Sequence, residues 1–570
     1  MGAVENIITD NLPIWSSAIQ SKSSAGRGTS SKRNLYGVKK LRELILDLAV
    51  RGLLVPQDPS DEPASVLLEK VAAEKGSLVK GGKIKKQKPL PNIEKIEENL
   101  PTNWKATRFG NVINILNGRA YKKNEMLSQG TPLLRVGNLF TSNDWYYSDL
   151  ELEPNKYIDD GDLIYAWSAS FGPFIWKGGK VIYHYHIWKL DFYDGSHLSK
   201  DYTYLYLANK TAAIKAAGNG IAMLHMTKER MEKLVFPIPP LAEQHRIVAK
   251  VDELMALCDT LEKQQEDSIQ AHETLVEVLL EALSNAVDAD AFQTAWGRIS
   301  EHFDVLFTTE HSINKLKETI LQLAVMGKLV PQDPSEVEIT TQIEKAIRCK
   351  AKFAELNKTL RDKEKYVSRP QFTEPANWGW YCLGEFMHVL GGKRVPAGYK
   401  LLNDKTDYVY LRVTDMKNHS INQDDIKYID PEIYDLIKKY IINSDDLYLT
   451  IAGTIGNVGS IPENLDGANL TENAAKLVFG EMNKKFLIYA LSSNYVQQQF
   501  ENAVNQMAQP KLSLVSIKFT SIALPPKEEQ HRIVAKVDEL MALCEQLKNS
   551  LQQAQGTQIQ LTDAVVENAL

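Results

Sequence analysis

The sequence predicts an α+β protein written twice: two homologous globular domains separated by long antiparallel coiled-coil helices, related as a pseudo-two-fold internal repeat. Three observations carry this. The sixteen residues Glu243 to Cys258, EQHRIVAKVDELMALC, return letter for letter as Glu529 to Cys544. The stretch Lys39 to Ser60, KKLRELILDLAVRGLLVPQDPS, has a partner 275 residues on at Asn314 to Ser335, NKLKETILQLAVMGKLVPQDPS. Between these anchors the same sparse signals recur in the same order with little identity: Asn103-Trp104 and Asn377-Trp378, Leu134-Arg135-Val136 and Leu411-Arg412-Val413, Asp162-Leu163 and Asp446-Leu447.

The first 36 residues are rich in Ser, Gly and Lys and read as a flexible arm. Residues 37–100 follow as a helical region and linker. Its helix has apolar residues at helical spacing and is closed by Gly52 and Pro56, the usual way for a helix to stop. A lysine-rich run from Lys80 to Lys88, ending at Pro89 and Pro91, marks a boundary. Residues 101–240 form the first globule, where VIYHYHIWKL (Val181 to Leu190) and TYLYL (Thr203 to Leu207) alternate as strands do.

Residues 241–372 then carry a long helix, the repeated short helix and a second charged linker. A second globule, 373–526, includes a helical stretch from Lys484 to Asn502, and a last helix fills 527–570. Pro239-Pro240 and Pro525-Pro526 stand where a first helical turn accepts proline. From there Ile247, Val251, Leu254 and Cys258, and again Ile533, Val537, Leu540 and Cys544, step by four and three as a coiled-coil seam does. Leu275, Val276, Leu279 and Leu283 extend the first seam, and Leu551, Leu561 and Val565 the second.

Composition bounds the class. With 570 residues, 44% of them apolar, the chain can bury several cores. No run of eighteen apolar residues is present, so a cytoplasmic protein without membrane contact is expected. Four cysteines without CxxC spacing suggest neither a disulfide framework nor a zinc ribbon. The net charge of −6 argues, taken alone, against nucleic acid. It is unevenly spread, however: Glu243 to Leu283 holds ten acids against three Lys and Arg, whereas Pro101 to Phe236 holds sixteen bases against thirteen acids.

Pro-Pro-x-x-Glu-Gln-x-Arg-Ile-Val at the start of a long helix, twice per chain and each time after a variable domain, resembles the specificity subunit of type I restriction-modification enzymes. The helix repeated at Lys315 to Met326 resembles the subgroup usually called type IB. Lys527-Glu528 departs from the Leu241-Ala242 of the first copy.

The resemblance implies two target-recognition domains, each reading one half of an interrupted site in double-stranded DNA. It implies helices that separate these domains and bind two modification (adenine methyltransferase) subunits, with restriction subunits joining that core. No cofactor is then expected in this chain; S-adenosylmethionine, ATP and Mg2+ would sit on the partner subunits. Acidic outer helix faces, with Glu262, Glu266 and Asp267, would meet those partners.

A catalytic chain would need its own site, and neither a GxxxxGK[ST] loop, an HExxH motif nor an adenine-methyltransferase Pro-Pro-Tyr or Pro-Pro-Phe motif is present. His184 and His186, two apart on an expected strand, lack a third metal ligand at a convincing spacing. A strand histidine or a DNA contact is the better reading of both.

DNA contact calls for Arg at guanine edges, Asn or Gln at adenine, and Lys at phosphate. In the first globule the candidates are Arg119 with Lys122 and Lys123, then Arg135 with Asn138, then His225 and Lys228. In the second they are Lys393 and Arg394, then Arg412 with Thr414 and Lys417, then Gln509 and Lys511. Arg135 and Arg412 read equally well as strand arginines paired with an acid. Trp145, Tyr146 and Tyr147 read as packing residues. The competing class is a coiled-coil scaffold whose globules bind proteins.

Overall fold

A computed structural model describes residues 3–22, 32–93, 100–168, 171–193, 197–217, 226–357, 364–370, 372–505 and 510–570. The chain divides into two units, one of residues 1–268 with 553–570 and one of residues 269–552.

In the first unit, α1 (Tyr36–Arg51) buries Val38, Leu41, Leu44, Ile45 and Leu48 on one face. It ends where Gly52 turns left-handed at φ 74° and Leu53 N–H returns to Leu48 O. Helix α2 (Ala64–Lys80) follows the Gln57-Asp58-Pro59-Ser60 loop, which Asp58 folds by accepting from Ser60 N–H at 2.9 Å. The segment expected as a flexible arm carries helices Ala3–Thr9 and Leu12–Ser17, and Trp15 is fully buried against the start of α1. The Ser-, Gly- and Lys-rich run behind that expectation, residues 23–31, lies outside the described residues.

The globule of this unit opens with β1 (Lys105–Arg108) and closes with β10 (Val235–Ile238), paired antiparallel from Arg108↔Val235 to Lys105↔Ile238. Between them lie β2 (Ile113–Asn117), β3 (Thr131–Leu134), β4 (Tyr146–Ser148), β5 (Tyr157–Ile158), β6 (Leu163–Ala166), β7 (Gly172–Ile175), β8 (Val181–Tyr183) and β9 (Ile187–Phe192). They form two four-stranded sheets of order β2-β9-β6-β7 and β4-β3-β8-β5, with β3 and β8 parallel and the other pairs antiparallel.

The run expected as one strand from Val181 to Leu190 is therefore two strands of different sheets, broken at His184-Tyr185-His186. The stretch Thr203 to Leu207 is helical, inside α3 (Lys200–Ala217). Tyr202 and Tyr206, one turn apart, bury against Phe236 at ring distances of 5.9 and 4.5 Å. In a run this short, alternating aromatics fit either period, and packing on Phe236 decides for the helix.

The second unit repeats the design with other residues. Helix α4 (Leu241–Ser284) leads in, and α5 (Glu310–Val325) starts at Thr309, whose hydroxyl accepts from Ser312 N–H; α6 (Ile339–Leu356) stands where α2 does. Strands β11 (Gly379–Cys382) and β22 (Ser521–Leu524) close the globule as β1 and β10 do.

Inside are β12 (Met387–Gly391), β13 (Val409–Leu411), the hairpin β14 (Met416–Lys417) and β15 (Ser420–Ile421), β16 (Lys427–Tyr428), β17 (Ile441–Ile442), β18 (Leu447–Thr450), β19 (Val458–Ser460), β20 (Ala468–Leu470) and β21 (Ala474–Phe479). The sheet orders, β12-β21-β18-β19 and β16-β13-β20-β17, match the first globule strand for strand, down to one parallel pair. Helix α7 (Lys484–Ser492) packs on α5, and a second helix, Asn494–Asn505, follows after a break at Ser493.

Asp162 and Asp446, the repeated Asp-Leu signal, have the same task in both globules. Each accepts a backbone N–H three residues back, from Asp159 at 2.8 Å and from Asn443 at 2.9 Å, and so closes the turn into β6 or β18.

Helix α8 (Lys527–Ala569) ends the chain. At 1.5 Å per residue, α4 and α8 are each about 65 Å long. Each unit contains the start of one and the end of the other, as antiparallel helices require. Ile247, Val251, Leu254 and Cys258 are buried, like Ile533, Val537 and Cys544, and Leu540 is partly so.

The short repeated helices supply much of the partner surface. In the second unit, Ile533, Val537 and Cys544 share one apolar cluster with Ile313, Leu316 and Ile320 of α5 and with Val276 and Leu280 of α4. In the first, Arg42 of α1 donates to Asp259 at 2.6 Å and Glu262 at 2.8 Å. Glu262, expected to face a partner subunit, is thus held within its own unit, whereas Glu266 and Asp267 are exposed. Farther along, Leu275 and Leu561 are exposed while Val276 and Thr562 are buried. A straight helix of 3.6 residues per turn drifts off a 3.5 repeat.

The Glu-Gln-x-Arg motif ties each helix start to its unit. Glu243 accepts from Trp104 Nε1 at 3.0 Å and Gln57 Nε2 at 2.7 Å; Glu529 accepts from Trp378 Nε1 at 3.0 Å and Gln332 Nε2 at 2.7 Å. Gln244 donates to Pro239 O and accepts from Ser199 N–H, and Gln530 does the same with Pro525 O and Asn483 N–H. Arg246 pairs with Asp61 at 2.7 Å, and Arg532 with Glu336. Burial raises the pKa of both glutamates above the ordinary carboxylate value, and the Trp and Gln donors work against that rise.

Candidate nucleic-acid interface

The turn between β8 and β9 carries the first globule's chain from one sheet to the other, and three segments are laced around it by backbone bonds. Arg119 N–H donates to Tyr183 O at 3.1 Å, Tyr185 N–H to Arg119 O at 3.0 Å, and His184 N–H to Leu134 O at 2.9 Å. Gly118 is obligatory here, because a Cβ on it would lie 2.3 Å from His184 O. The lacing gathers Arg119, Arg135, His184, Tyr185 and His186 at one place.

Their side chains differ in how far they are committed. Arg119 forms a two-pronged pair with Glu125, at 2.6 and 3.1 Å, and its guanidinium lies 5.0 Å from the Tyr121 ring. It is half-buried and internally satisfied. Lys122 and Lys123 beside it are exposed.

Arg135 has no carboxylate partner among the described residues. Its guanidinium lies 4.5 Å over the Tyr146 ring, and its Nε is buried without a hydrogen-bond partner. Tyr146, read as a packing residue, is 39% exposed and serves as the platform for that guanidinium. Asn138 is consumed locally, accepting from Arg135 N–H at 3.1 Å and donating to Asp144 O at 2.9 Å. Lys228 donates to Ile115 O at 2.8 Å and stands apart from these contacts. His225 lies outside the described residues.

His184 and His186 flank the turn rather than sharing a strand face, with ring centroids 4.8 Å apart. Burial, then His186, then Arg135 push the pKa of His184 down to about 4, so it is neutral at pH 7. Among the described residues no group of three His, Cys, Asp or Glu is placed to hold a metal ion.

The second globule has the same lacing. Lys393 N–H donates to Leu470 O at 2.8 Å, Thr471 N–H to Leu411 O at 3.1 Å, and a Cβ on Gly392 would lie 2.0 Å from Thr471 O. Lys393 therefore stands where Arg119 does, Arg412 where Arg135 does, and Glu472-Asn473 where Tyr185-His186 does. Lys393 is exposed, its Nζ 5.8 Å from the Tyr440 ring, and Arg394 pairs with Glu472 at 2.9 Å.

Arg412 differs from its counterpart: it pairs with buried Asp415 at 2.7 Å and with Asp425 at 3.1 Å. The two readings left open for the strand arginines thus separate, with Arg412 paired to acids and Arg135 not. Thr414 donates to Asp415 at 3.3 Å. Lys417 is exposed on the β14–β15 hairpin, whose two turn residues Asn418 and His419 have φ of 52° and 57°, the left-handed pair of a type I′ turn. Lys511 is exposed next to Leu512, whose N–H donates to Ile451 O at 2.9 Å; Ile451 N–H in turn reaches Asn473 O at 2.8 Å. Gln509 lies outside the described residues.

The sequence reading missed the crossing turns. They contain neither glycine nor proline, and the only signal was the glycine directly after β2 and after β12, Gly118 and Gly392.

Residues 101–271 and 375–554 match the family model described as "Type I restriction modification DNA specificity domain". The chain is 34% identical over 605 residues to the Type I restriction enzyme EcoAI specificity subunit of Escherichia coli, and 33% identical over 597 residues to the EcoEI specificity subunit of the same species; all of each chain is covered. A solved HsdS subunit from Thermoanaerobacter tengcongensis is similar at 16% identity and a TM-score of 0.39, over 83% of this chain and 97% of that one. No helix among the described residues is long and apolar enough to cross a membrane. With both globules matched and relatives aligned from end to end, the chain belongs to the family of type I restriction-modification specificity subunits.

Proposed function

We propose that this chain is the non-catalytic DNA-reading component of a type I restriction-modification complex. Each globule reads one half of an interrupted double-stranded target, and the long helices set the spacer and bind two modification subunits. Restriction subunits join to cleave DNA at the expense of ATP. S-adenosylmethionine, ATP and Mg2+ bind those partners rather than this chain.

The observation that carries the reading is a contrast. One topology occurs twice with different side chains at the crossing turn, on helix starts that are identical. Globules that differ fit two different half-sites, and helices that agree fit two like partners. The identical residues left exposed form one stripe in both copies, His245, Ala249, Glu253 and Ala256 matching His531, Ala535, Glu539 and Ala542.

Methylated adenines mapped in cells that express this chain with its modification subunit should define one bipartite motif. A matched heptad inserted near Gln265 and near Gln552 lengthens each helix by roughly 10 Å. That bounds the spacer change at about three base pairs. Methylation without any motif, or inserted heptads that alter the bases rather than the spacing, would overturn this reading.

A further inference from the structure

The crossing turn offers an address that both globules share and fill differently. Its backbone is fixed twice over. In the first globule Tyr185 N–H is bound to Arg119 O, and Tyr185 O accepts from Trp167 Nε1 at 2.9 Å. In the second, Asn473 O accepts from Ile451 N–H at 2.8 Å and Ala452 N–H at 3.3 Å. Gly118 and Gly392 hold the neighbouring loop so close that neither turn can shift without moving it.

Two side chains that project from these fixed turns, those of Tyr185 and Asn473, are uncommitted among the described residues. Tyr185 is 41% exposed, its ring steadied by His184 at 4.4 Å and His186 at 3.9 Å, and its hydroxyl has no partner among the described residues. The Asn473 side-chain amide is half-buried and likewise has no partner among them. The arginines that sequence reasoning favours are in large part spent: Arg119 on Glu125, Arg412 on Asp415 and Asp425. A group that reads base edges needs open donors or acceptors on a rigid mount, and a positioning group needs only charge.

Resting on the function proposed above, we propose that the turn is the specificity-determining element of each globule: Tyr185 contacts a base of one half-site, and Asn473 holds an adenine edge of the other. Asn473 offers one donor and one acceptor side by side, which matches N7 and the 6-amino group of adenine. Lys393, exposed and laced to its turn by its backbone, lies beside Asn473 to meet phosphate.

The test uses the full complex with modification subunits and maps methylated adenines for wild type, Tyr185→Ala, Asn473→Ala and the isosteric Asn473→Asp. Asn473→Ala and Asn473→Asp are expected to relax one position in one half-site, with discrimination falling on the order of ten- to hundredfold. Tyr185→Ala should relax the other half-site only, and melting should stay at the wild-type value in all three. An unchanged motif, a change in both halves from one substitution, or a uniform loss of methylation with the preference kept would each overturn the assignment. A wild-type complex with no bipartite motif would instead remove the function on which it rests.

Discussion

Replacing Glu243 by Ala tests the tie between helix and globule. Trp104 is buried, and its indole N–H has Glu243 as acceptor at 3.0 Å. Gln57, the other donor, is exposed and can turn to water. Only one buried donor is therefore stranded, at a cost of about 1–3 kcal/mol. Removing a desolvated carboxylate returns part of that, so a net loss of about 2 kcal/mol is expected, or about 3 °C in melting temperature for a unit of this size.

A double-mutant cycle with Trp104→Phe isolates the bond and should show coupling of about 1–2 kcal/mol. The pH dependence has a definite sign. Because burial raises the folded pKa of Glu243 above the ordinary value, the folded state binds the proton more tightly than the unfolded state does. Stability from this group falls as pH rises between those two values, and Glu243→Gln should flatten that slope. Thermal melts from pH 4.5 to 8 measure both effects. A Glu243→Ala variant that melts with wild type, or a cycle that is additive within about 0.5 kcal/mol, refutes the tie.

Two further outcomes separate reading from support. Arg412→Ala strands buried Asp415 and should lower the melting temperature of its unit, whereas Arg135→Ala removes no ion pair and should leave melting unchanged while weakening DNA binding; equal melting losses would contradict the assignment. Lys122→Ala with Lys123→Ala should weaken binding evenly over all sequences and reduce the salt slope of log K by about two, read from titrations at several salt concentrations; a sequence-dependent loss would make these lysines readers.

Most of the architecture was legible because the chain repeats itself. Sixteen identical residues placed both helix starts, and Asp162 and Asp446 marked the same turn in two otherwise dissimilar globules. Legibility failed where a short aromatic run fits two periods, as at Thr203 to Leu207, and where a turn lacks glycine and proline, as at His184 to His186. At the candidate site the sequence supplied residue types without their partners. Glu125 lies only six residues from Arg119 and Asp415 three from Arg412, yet nothing in spacing alone says that a two-pronged pair forms rather than an open cation. The buried indole donors of Trp104 and Trp378 were visible as a repeated Asn-Trp, but their acceptors lie more than a hundred residues on in the chain.

The pairing of β1 with β10, and of β11 with β22, bears on how such genes change. Each globule leaves its frame through two adjacent antiparallel strands, so the chain enters and departs within one strand spacing, about 4.8 Å. Whatever is threaded between those strands does not alter the position of the ends. The two cassettes already differ in length, 134 residues from Lys105 to Ile238 against 146 from Gly379 to Leu524, while the frame around them has kept sixteen residues unchanged. Recombination in the identical helix starts can therefore replace a whole cassette and return an intact frame; on the function proposed above, a new specificity would then arise in one genetic step instead of by gradual drift of contact residues.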